Sequence, residues 1–207
     1  MGRTGVFTLV ATAVIFPALM LGLSRDLSTM PAPAAATADE AVYQIDPAHS
    51  SIVFAIRHFG IANFYGMVTA PTGTVLLDAD NPVLDVTIQT KYVNGGNDSR
   101  NKFLASPDFF NVREYPQATF KSHAIRKIDD TTYEADGTFT MRGVSRPLTV
   151  TLTGYGERTV EKFGHRCAFE TTFTIRRSQF GMTTHLEDDV LGDDVTITVS
   201  IEAGRPA

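Results

Sequence analysis

Hydrophobic and polar residues alternate along most of the chain after residue 41. The segment PLTVTLTG shows the pattern most clearly, because Leu148, Val150 and Leu152 are separated by threonines. A period of two gives a β-strand one apolar face and one polar face. The same alternation occurs in SIVFAIR, VLDVTIQ, CAFETTFTI and VTITVSIE. The pattern predicts β-strands whose apolar residues share one face and whose threonines share the other.

Shorter segments extend this prediction. Candidate strands lie near residues 42–45, 64–69, 74–77, 118–123, 132–135 and 138–142. Turn-forming residues separate the strands, among them Asp136-Gly137, Gly154 and Gly192. Many short strands with short connections predict an all-β, antiparallel fold. Alternation leaves two architectures open: a sandwich, whose apolar faces fill each other, and a barrel of about eight strands, whose interior holds one ligand.

One stretch, residues 99–120, breaks the alternation: SRNKFLASPDFFNVREYPQATF. Its two prolines prevent a long helix, and its charged residues do not suit a buried strand. Phe109 and Phe110 stand side by side here, which a surface loop does not require. The aromatic residues therefore either close one end of the fold or contact a ligand. We predict Phe110 and Phe120 to be core residues, and Phe103 and Phe109 to contact a ligand.

The first 38 residues differ from the rest. Arg3 precedes an uncharged apolar run, residues 5–23, and the segment PAPAAATADEA follows it. This order is typical of a secretory signal peptide and linker, with cleavage expected after Ala36 or Ala38. The alternative is an uncleaved anchor, because a run of this length nearly spans a bilayer. Both interpretations predict one folded domain, residues 39–207, that is periplasmic or secreted, and an anchor would hold it near a membrane.

Composition excludes some classes of protein. The chain has 207 residues, of which 43% are hydrophobic, enough for a substantial core. Its net charge of −5 argues against nucleic acid as a partner, since phosphate binding needs a basic face. Cys167 is the single cysteine, so no disulfide forms within the chain and the fold depends on packing.

The sequence offers few candidates for chemistry. The five histidines form neither an H-x-H nor an H-E-x-x-H pair, and the paired aspartates lack the spacing of a calcium loop. There is no G-x-S-x-G elbow, and Cys167 lies on an apolar phase. We therefore predict no metal, no cofactor and no catalytic residue. Arg176-Arg177 is open to two interpretations, a bidentate pyrophosphate contact or an arginine pair in solvent.

Four segments together resemble the YceI-like family. They are YQIDPAHSSIVFAIRHFGI, SRNKFLASPDFFNVREYPQATFKS, DGTFTMRGVSRPLTVTLTGYG, and TIRRSQFGM followed by GDDVTITVSIE, in order from about Tyr43 to Glu202. The resemblance implies an antiparallel up-and-down, lipocalin-like β-barrel with a short helical excursion at its opening. The family usually has Arg-Asp-x-His-Leu where this chain has Arg100-Asn101-Lys102-Phe103-Leu104. That departure implies a more apolar opening or a different head group.

The resemblance also implies a function, since these secreted bacterial proteins bind polyisoprenoids. We expect a non-enzymatic carrier that sequesters or transports a polyisoprenoid lipid, either a prenyl pyrophosphate or an isoprenoid quinone. His58 matches a family position, where it either makes a polar contact at the cavity or a structural hydrogen bond. The expected ligand contacts are Phe54, Ile56, His58, Phe103, Phe109, Leu148, Val150, Phe169, Phe173 and Ile197, with Arg100 and Arg176 at the head group.

Two other classes stay open at this point. An enzyme acting on a prenyl or other small apolar substrate in the same cavity would need an acid, base or nucleophile on the inward phase, and the sequence shows none. A sandwich that works only through protein contacts, or a homodimer, is also compatible with the pattern.

Overall fold

The computed structural model describes residues 42–205, and this part of the chain is built almost entirely of strands. The strands are β1 (Tyr43–Ile45), β2 (Ser51–His58), β3 (Ala62–Thr69), β4 (Thr72–Leu76), β5 (Val83–Gln89), β6 (Val93–Asn94), β7 (Gln117–Lys127), β8 (Tyr133–Met141), β9 (Val144–Val160), β10 (Gly164–Arg176) and β11 (Leu191–Arg205). Helix α1 spans Asp98–Ala105, and 3-10 turns span Thr90–Tyr92 and Arg177–Phe180. The predicted signal peptide or anchor lies outside the described residues.

The strands close into an eight-stranded antiparallel barrel. Strands β1 and β2 act as one strand interrupted at residues 46–50, because both pair with β11 in the same direction. Strands β3 and β4 likewise follow one another, β3 along β2 and β4 along β1. Each of β5, β7, β8, β9, β10 and β11 then pairs with the next. The up-and-down barrel that the sequence left beside a sandwich is confirmed.

The wall of the barrel changes partners at one place. Strand β4 pairs with β5, but β3 pairs with the short strand β6 and, within the described residues, makes no ladder with β5. The change occurs just before Gly73 of β4, whose φ is +141° and whose position has no room for a side chain: a Cβ there would lie 1.9 Å from the carbonyl oxygen of Asp85. At this end of the barrel, β6 and α1 cover the gap between β3 and β5.

Helix α1 is the short helical excursion that the family resemblance implies. The side chain of Asn97 caps its first turn by accepting a hydrogen bond from the backbone N–H of Arg100 at 2.9 Å, and Asp98 suits the helix N-terminus. The helix ends at Ala105, two residues before Pro107. Within the described residues no helix is both long and apolar enough to cross a membrane.

The side-chain phase of the long strands is as the alternation predicts. Leu148, Val150 and Leu152 point into the barrel, while Thr149 and Thr151 are exposed. On β11, Val195, Ile197 and Val199 face inward and the intervening threonines face solvent. Because a slip of one residue would reverse every assignment, the register is strongly specified.

Three predicted turns are wrong, because glycine here allows close packing or a bulge within a strand. Gly137, Gly154 and Gly192 lie inside β8, β9 and β11. A Cβ at Gly137 would lie 2.5 Å from the ring of Phe120, so glycine is needed there for close packing. Gly154 has a φ of +66° beside the bulge at which β9 opposes β10. The two strands predicted at 132–135 and 138–142 are therefore one continuous strand, β8.

An ion-pair cluster holds the interruption between β1 and β2 against the barrel. Arg166 Nη2 donates to Asp46 Oδ2 and to Glu202 Oε1, at 2.6 Å each. The backbone of the same loop is attached as well, since Asp46 N donates to the carbonyl oxygen of Glu202 at 2.8 Å. Hydrogen bonds from His49 and Arg166 hold the pKa of the Asp46 carboxyl well below its usual range.

Replacing this guanidinium tests the cluster. Arg166→Gln leaves two carboxylates without their cation, so we expect the free energy of unfolding to fall by roughly 1–3 kcal/mol at neutral pH. Folding lowers the Asp46 pKa, so the contribution is present above the unfolded value of about 4 and is lost as pH falls. In urea unfolding, the difference from wild type should therefore shrink below about pH 4.

The matched control is Arg158→Gln, at the exposed residue that pairs with Arg166 across β9 and β10. This variant should unfold like the wild type both at neutral pH and below about pH 4. An Arg166→Gln deficit of unchanged size in acid would show that lost packing, and not the ion pair, carries the effect.

Candidate functional site

The barrel encloses a cavity of about 570 Å³. Its walls are almost wholly apolar, because nearly every inward position of the strands that surround it is hydrophobic; Thr171 on β10 is a buried polar exception. The lining from these strands includes Ile52, Phe54, Ile56, Phe64, Val68, Leu84, Val86, Ile88, Ala118, Phe120, Phe139, Met141, Leu148, Val150, Leu152, Phe169, Phe173, Ile175, Val195, Ile197, Val199 and Ile201. A cavity of this size and character suits one apolar molecule.

The structure brings nearly all the predicted site residues together around this cavity. All ten predicted ligand contacts line it: Phe54, Ile56, His58, Phe103, Phe109, Leu148, Val150, Phe169, Phe173 and Ile197. Arg100 of the predicted head-group pair also lines it. Their contact with a ligand stays a prediction.

Arg176 is the exception, and the strand phase explains why. On β10 the residues at 173 and 175 face inward, so Arg176 faces solvent, where it lies 3.6 Å from Asp194 and 3.8 Å from Asp193. Its neighbour Arg177 continues the inward phase and is only 1% exposed. The parity of Phe173, Ile175 and Arg177 could have identified the inward arginine from the sequence.

Arg177 anchors the loop that leads from β10 to β11. Its guanidinium donates to three backbone carbonyl oxygens: Gly192 at 2.7 Å, Met182 at 2.8 Å and Leu191 at 2.9 Å. Burial lowers its pKa, against the opposing effect of Asp193. Of the two interpretations left open for the arginine pair, solvent exposure fits Arg176 but is wrong for Arg177.

The aromatic excursion lies at one end of the barrel and forms part of the cavity wall. Phe109 is 6% exposed, whereas Phe103 on α1 is 37% exposed, and the two rings meet edge to face at 4.8 Å between centroids. Phe110 is half-buried and lines the cavity beside them. The stretch thus both closes the end of the barrel and presents an exposed ring at the cavity entrance.

Polar side chains reach the cavity mainly at this entrance. Those at the entrance are His58 and Asn63 on the β2–β3 hairpin, Arg100 on α1, and His185 in the loop before β11. Thr119, Thr171 and Arg177 also line the cavity. The Arg100 guanidinium lies 4.6 Å above the ring of Phe64, spanning the gap between α1 and β3, and donates to the carbonyl oxygen of Gly95. These groups give the entrance one fixed positive charge, on Arg100, and several hydrogen-bonding side chains around an apolar interior.

His185 forms a local pair at the entrance. Its Nδ1 lies 2.9 Å from Asp188 Oδ2, and this hydrogen bond lowers the pKa of the Asp188 carboxyl. The ring of His185 is 6.3 Å from that of Phe103, so the loop before β11 and helix α1 approach each other over the cavity.

The lining offers little for catalysis. Among the described lining residues the ionisable side chains are His58, Arg100, Arg177 and His185, and there is no carboxylate, serine or cysteine. Burial raises the pKa of the Cys167 thiol to about 12, which leaves it unreactive. The prediction that the protein is not an enzyme stays a prediction.

One group of potential metal ligands occurs among the described residues. Single ligand atoms of Asp46, His49 and Glu202 all lie within 4.8 Å of one another. Arg166 already donates to both carboxylates of this group. The guanidinium therefore supplies the positive charge, and we assign the cluster to the fold rather than to a metal.

Fold and site together define a class: a closed eight-stranded barrel with an internal apolar cavity that is open at one end. The match to known proteins is more particular. Residues 43–203 match the model of the YceI-like domain, and the chain belongs to this family. It is 33% identical over 185 residues to a UPF0312 protein of Pectobacterium atrosepticum, a match that covers 86% of this chain and 93% of the relative.

Solved structures share the architecture. BcnA of Burkholderia cenocepacia superposes with a TM-score of 0.68 at 25% identity, covering 77% of this chain and 99% of that protein. A polyisoprenoid-binding domain from Saccharophagus degradans, described as implicated in plant cell wall breakdown, has a TM-score of 0.64 at 16% identity, covering 79% and 98%. At that identity the second likeness shows a common fold.

Alanine substitutions of two phenylalanines in the excursion distinguish a role in ligand contact from a role in core packing. Phe103→Ala removes a partly exposed ring at the entrance, so we expect prenyl-lipid affinity to weaken by roughly 1–3 kcal/mol with little loss of stability. Phe109→Ala removes a buried ring and should lower the free energy of unfolding by about 3–5 kcal/mol. Lipid titration and urea unfolding on both variants make the comparison. Wild-type affinity in Phe103→Ala would identify the whole excursion as a plug.

Proposed function

We propose that this protein is a carrier that sequesters a polyisoprenoid lipid in its barrel, with the prenyl chain inside and the polar end at the entrance. The observation that carries the proposal is the enclosed apolar cavity, whose ionisable side chains all lie at one end. Membership of the YceI-like family and the fold shared with a polyisoprenoid-binding domain support it.

The energetics favour an enclosed site for such a ligand. Each buried methylene contributes about 0.8 kcal/mol, so a long prenyl chain gains most where apolar walls surround it on all sides. A shallow groove would leave part of the chain in water. The entropy lost on ordering the prenyl chain offsets much of this gain. The summed contribution of all the methylenes exceeds the binding free energy of any known complex. Cavity length, and not hydrogen bonding, then selects the chain length.

The entrance suits an anionic or carbonyl-bearing head group. Arg100, His58 and His185 surround it, and N–H donors of these types bind phosphate and carbonyl oxygens. Asn101, which stands where the family usually has an acidic residue, accepts a hydrogen bond from the Gly95 backbone at 2.6 Å and so serves the fold. Phe103 makes the rim more apolar than a histidine would. A prenyl pyrophosphate and an isoprenoid quinone share this arrangement of apolar chain and oxygen-bearing end.

An enzyme acting on the same lipid is the alternative. It would need an acid, base or nucleophile facing the ligand, and the described lining supplies two histidines at the entrance but no carboxylate. A carrier needs none of these groups, and so we favour it. The proposal includes a location outside the cytoplasm, which rests on the positive start and apolar run of residues 1–38.

Mass spectrometry of organic extracts tests the proposal directly. We expect a prenyl lipid to co-purify with the protein, and its mass identifies both the chain length and the head group. Extracts that contain only phospholipid or fatty acid, at the level of an unrelated protein purified in the same way, would overturn the assignment.

Filling the cavity provides an independent test. Val195→Trp places an indole ring among the lining residues, so less lipid, or lipid of shorter chain, should co-purify. Thr196→Trp puts the same ring on the exposed face of the same strand and should leave the extract unchanged. Thermal unfolding of both variants controls for overpacking. Equal lipid content in two folded variants would show that the ligand lies elsewhere.

A further inference from the structure

Large apolar side chains stand exposed at the cavity entrance. Phe59, Gly60 and Ile61 form the tip of the β2–β3 hairpin, and Phe59 is 57% and Ile61 81% exposed. The residues that flank the tip, His58 and Ala62, line the cavity. The two exposed side chains therefore lie on the rim through which a ligand enters.

The tip is held in this conformation at a cost. Phe59 has a φ of +52°, in the left-handed region that aromatic residues rarely adopt, and Gly60 follows with +67°. The backbone N–H of Phe59 donates to the carbonyl oxygen of Val190 at 2.9 Å, and the backbone N–H of Ile61 donates to the carbonyl oxygen of His58 at 3.2 Å. Strained backbone that the surroundings hold in place is typical of functional positions. Here it presents an aromatic ring to solvent.

Charge is distributed unevenly between the two ends of the barrel. Because the strands are antiparallel, the entrance end comprises residues 57–63, 90–116, 141–146 and 176–194. These segments carry nine Lys and Arg against eight Asp and Glu, a net charge of +1. The rest of residues 42–205 carries seven against twelve, a net charge of −5. An anionic surface therefore repels the rest of the barrel electrostatically, whereas its net interaction with the nearly neutral entrance end is small.

We propose that the entrance end docks on a lipid bilayer, with Phe59 and Ile61 entering the interfacial region. This inference rests on the proposed function, since a prenyl lipid resides in membranes and pays a large cost in water. Docking joins the apolar cavity to the apolar layer, and the ligand passes between them without full hydration. The acidic residues at 187–189 lie beside the tip, so the apolar side chains, and not local charge attraction, make the contact.

Site-specific fluorescence on the full chain tests the docking. An environment-sensitive label is attached to the introduced cysteine of two variants, Ile61→Cys and Ile128→Cys. Both positions are exposed, and their hairpins lie at opposite ends of the barrel. Native Cys167 is 2% exposed and has a raised pKa, so it does not compete for the label. The probe is vesicles of phosphatidylethanolamine and phosphatidylglycerol, with brominated acyl chains as the quencher.

We expect the label at position 61 to shift to the blue and to be quenched, while the label at 128 behaves as in water. Strand β1 begins at the end of the barrel that carries Ile128, so attachment through the preceding residues would not bury the label at 61 in preference to the label at 128. Equal responses at the two positions, or no response at 61, would overturn the proposal.

A matched pair of double variants connects docking to lipid transfer. Phe59→Asn with Ile61→Ser removes one aromatic and one aliphatic side chain from the entrance end. Ile128→Ser with Phe163→Asn removes the same pair of types from turns at the other end, where both are exposed. Asparagine tolerates a positive φ better than phenylalanine does, so the entrance variant relieves strain.

The readout is the rate at which each protein takes up farnesol from the vesicles, together with its equilibrium affinity for farnesol in solution. The entrance variant should lose about tenfold in rate with unchanged affinity. The other variant should match the wild type. Equal rates for both variants would overturn docking. Failure of every version to bind farnesol while label 61 is still quenched would instead count against the proposed ligand.

Discussion

The structure depends on one constraint: around the whole closed barrel, the apolar side chains of each strand must face inward and the polar side chains outward. In a barrel, each ladder fixes the register of the next, and closure of β11 onto β1 and β2 leaves no freedom to correct a slip. The inward phase is apolar at nearly every position that surrounds the cavity, with Thr171 on β10 as a polar exception. The same constraint that holds the fold together therefore also makes the ligand site, since the inner faces are too far apart to fill one another completely.

The ring has one weak place, and the entrance lies there. Between Thr69 and Thr72 the wall passes from β3, which pairs with β6, to β4, which pairs with β5. Helix α1 covers this gap by side-chain contacts: Leu104 is buried beneath it, and Arg100 lies over Phe64. A wall held by side chains opens at less cost than one held by backbone ladders. The sequence places its polar and aromatic rim residues at this same gap.

Much of this arrangement could be predicted from the sequence, because alternation determines which residues face inward. The all-β antiparallel fold and the apolar lining follow from the alternation, whereas the closed barrel and the short helix before Pro107 are implied only by the resemblance to the YceI-like family. The errors have a common cause. Gly137, Gly154 and Gly192 look like turns because glycine is common in turns, but here glycine allows close packing or a bulge within a strand. Such contacts arise between strands distant in sequence, and no local pattern reveals them.

Arg176 and Arg177 show the same limit for the site. Both are charged and adjacent, so composition gives no reason to distinguish them, yet parity places one in solvent and the other inside the barrel wall. The buried arginine donates to three backbone carbonyl oxygens, one in the loop before β11 and two at the start of β11, and not to a carboxylate. Its charge thus fixes the loop that carries His185 to the entrance. A residue whose type suggests ligand binding instead positions the rim, and the ligand is left to the apolar phase and to the few polar groups at the opening.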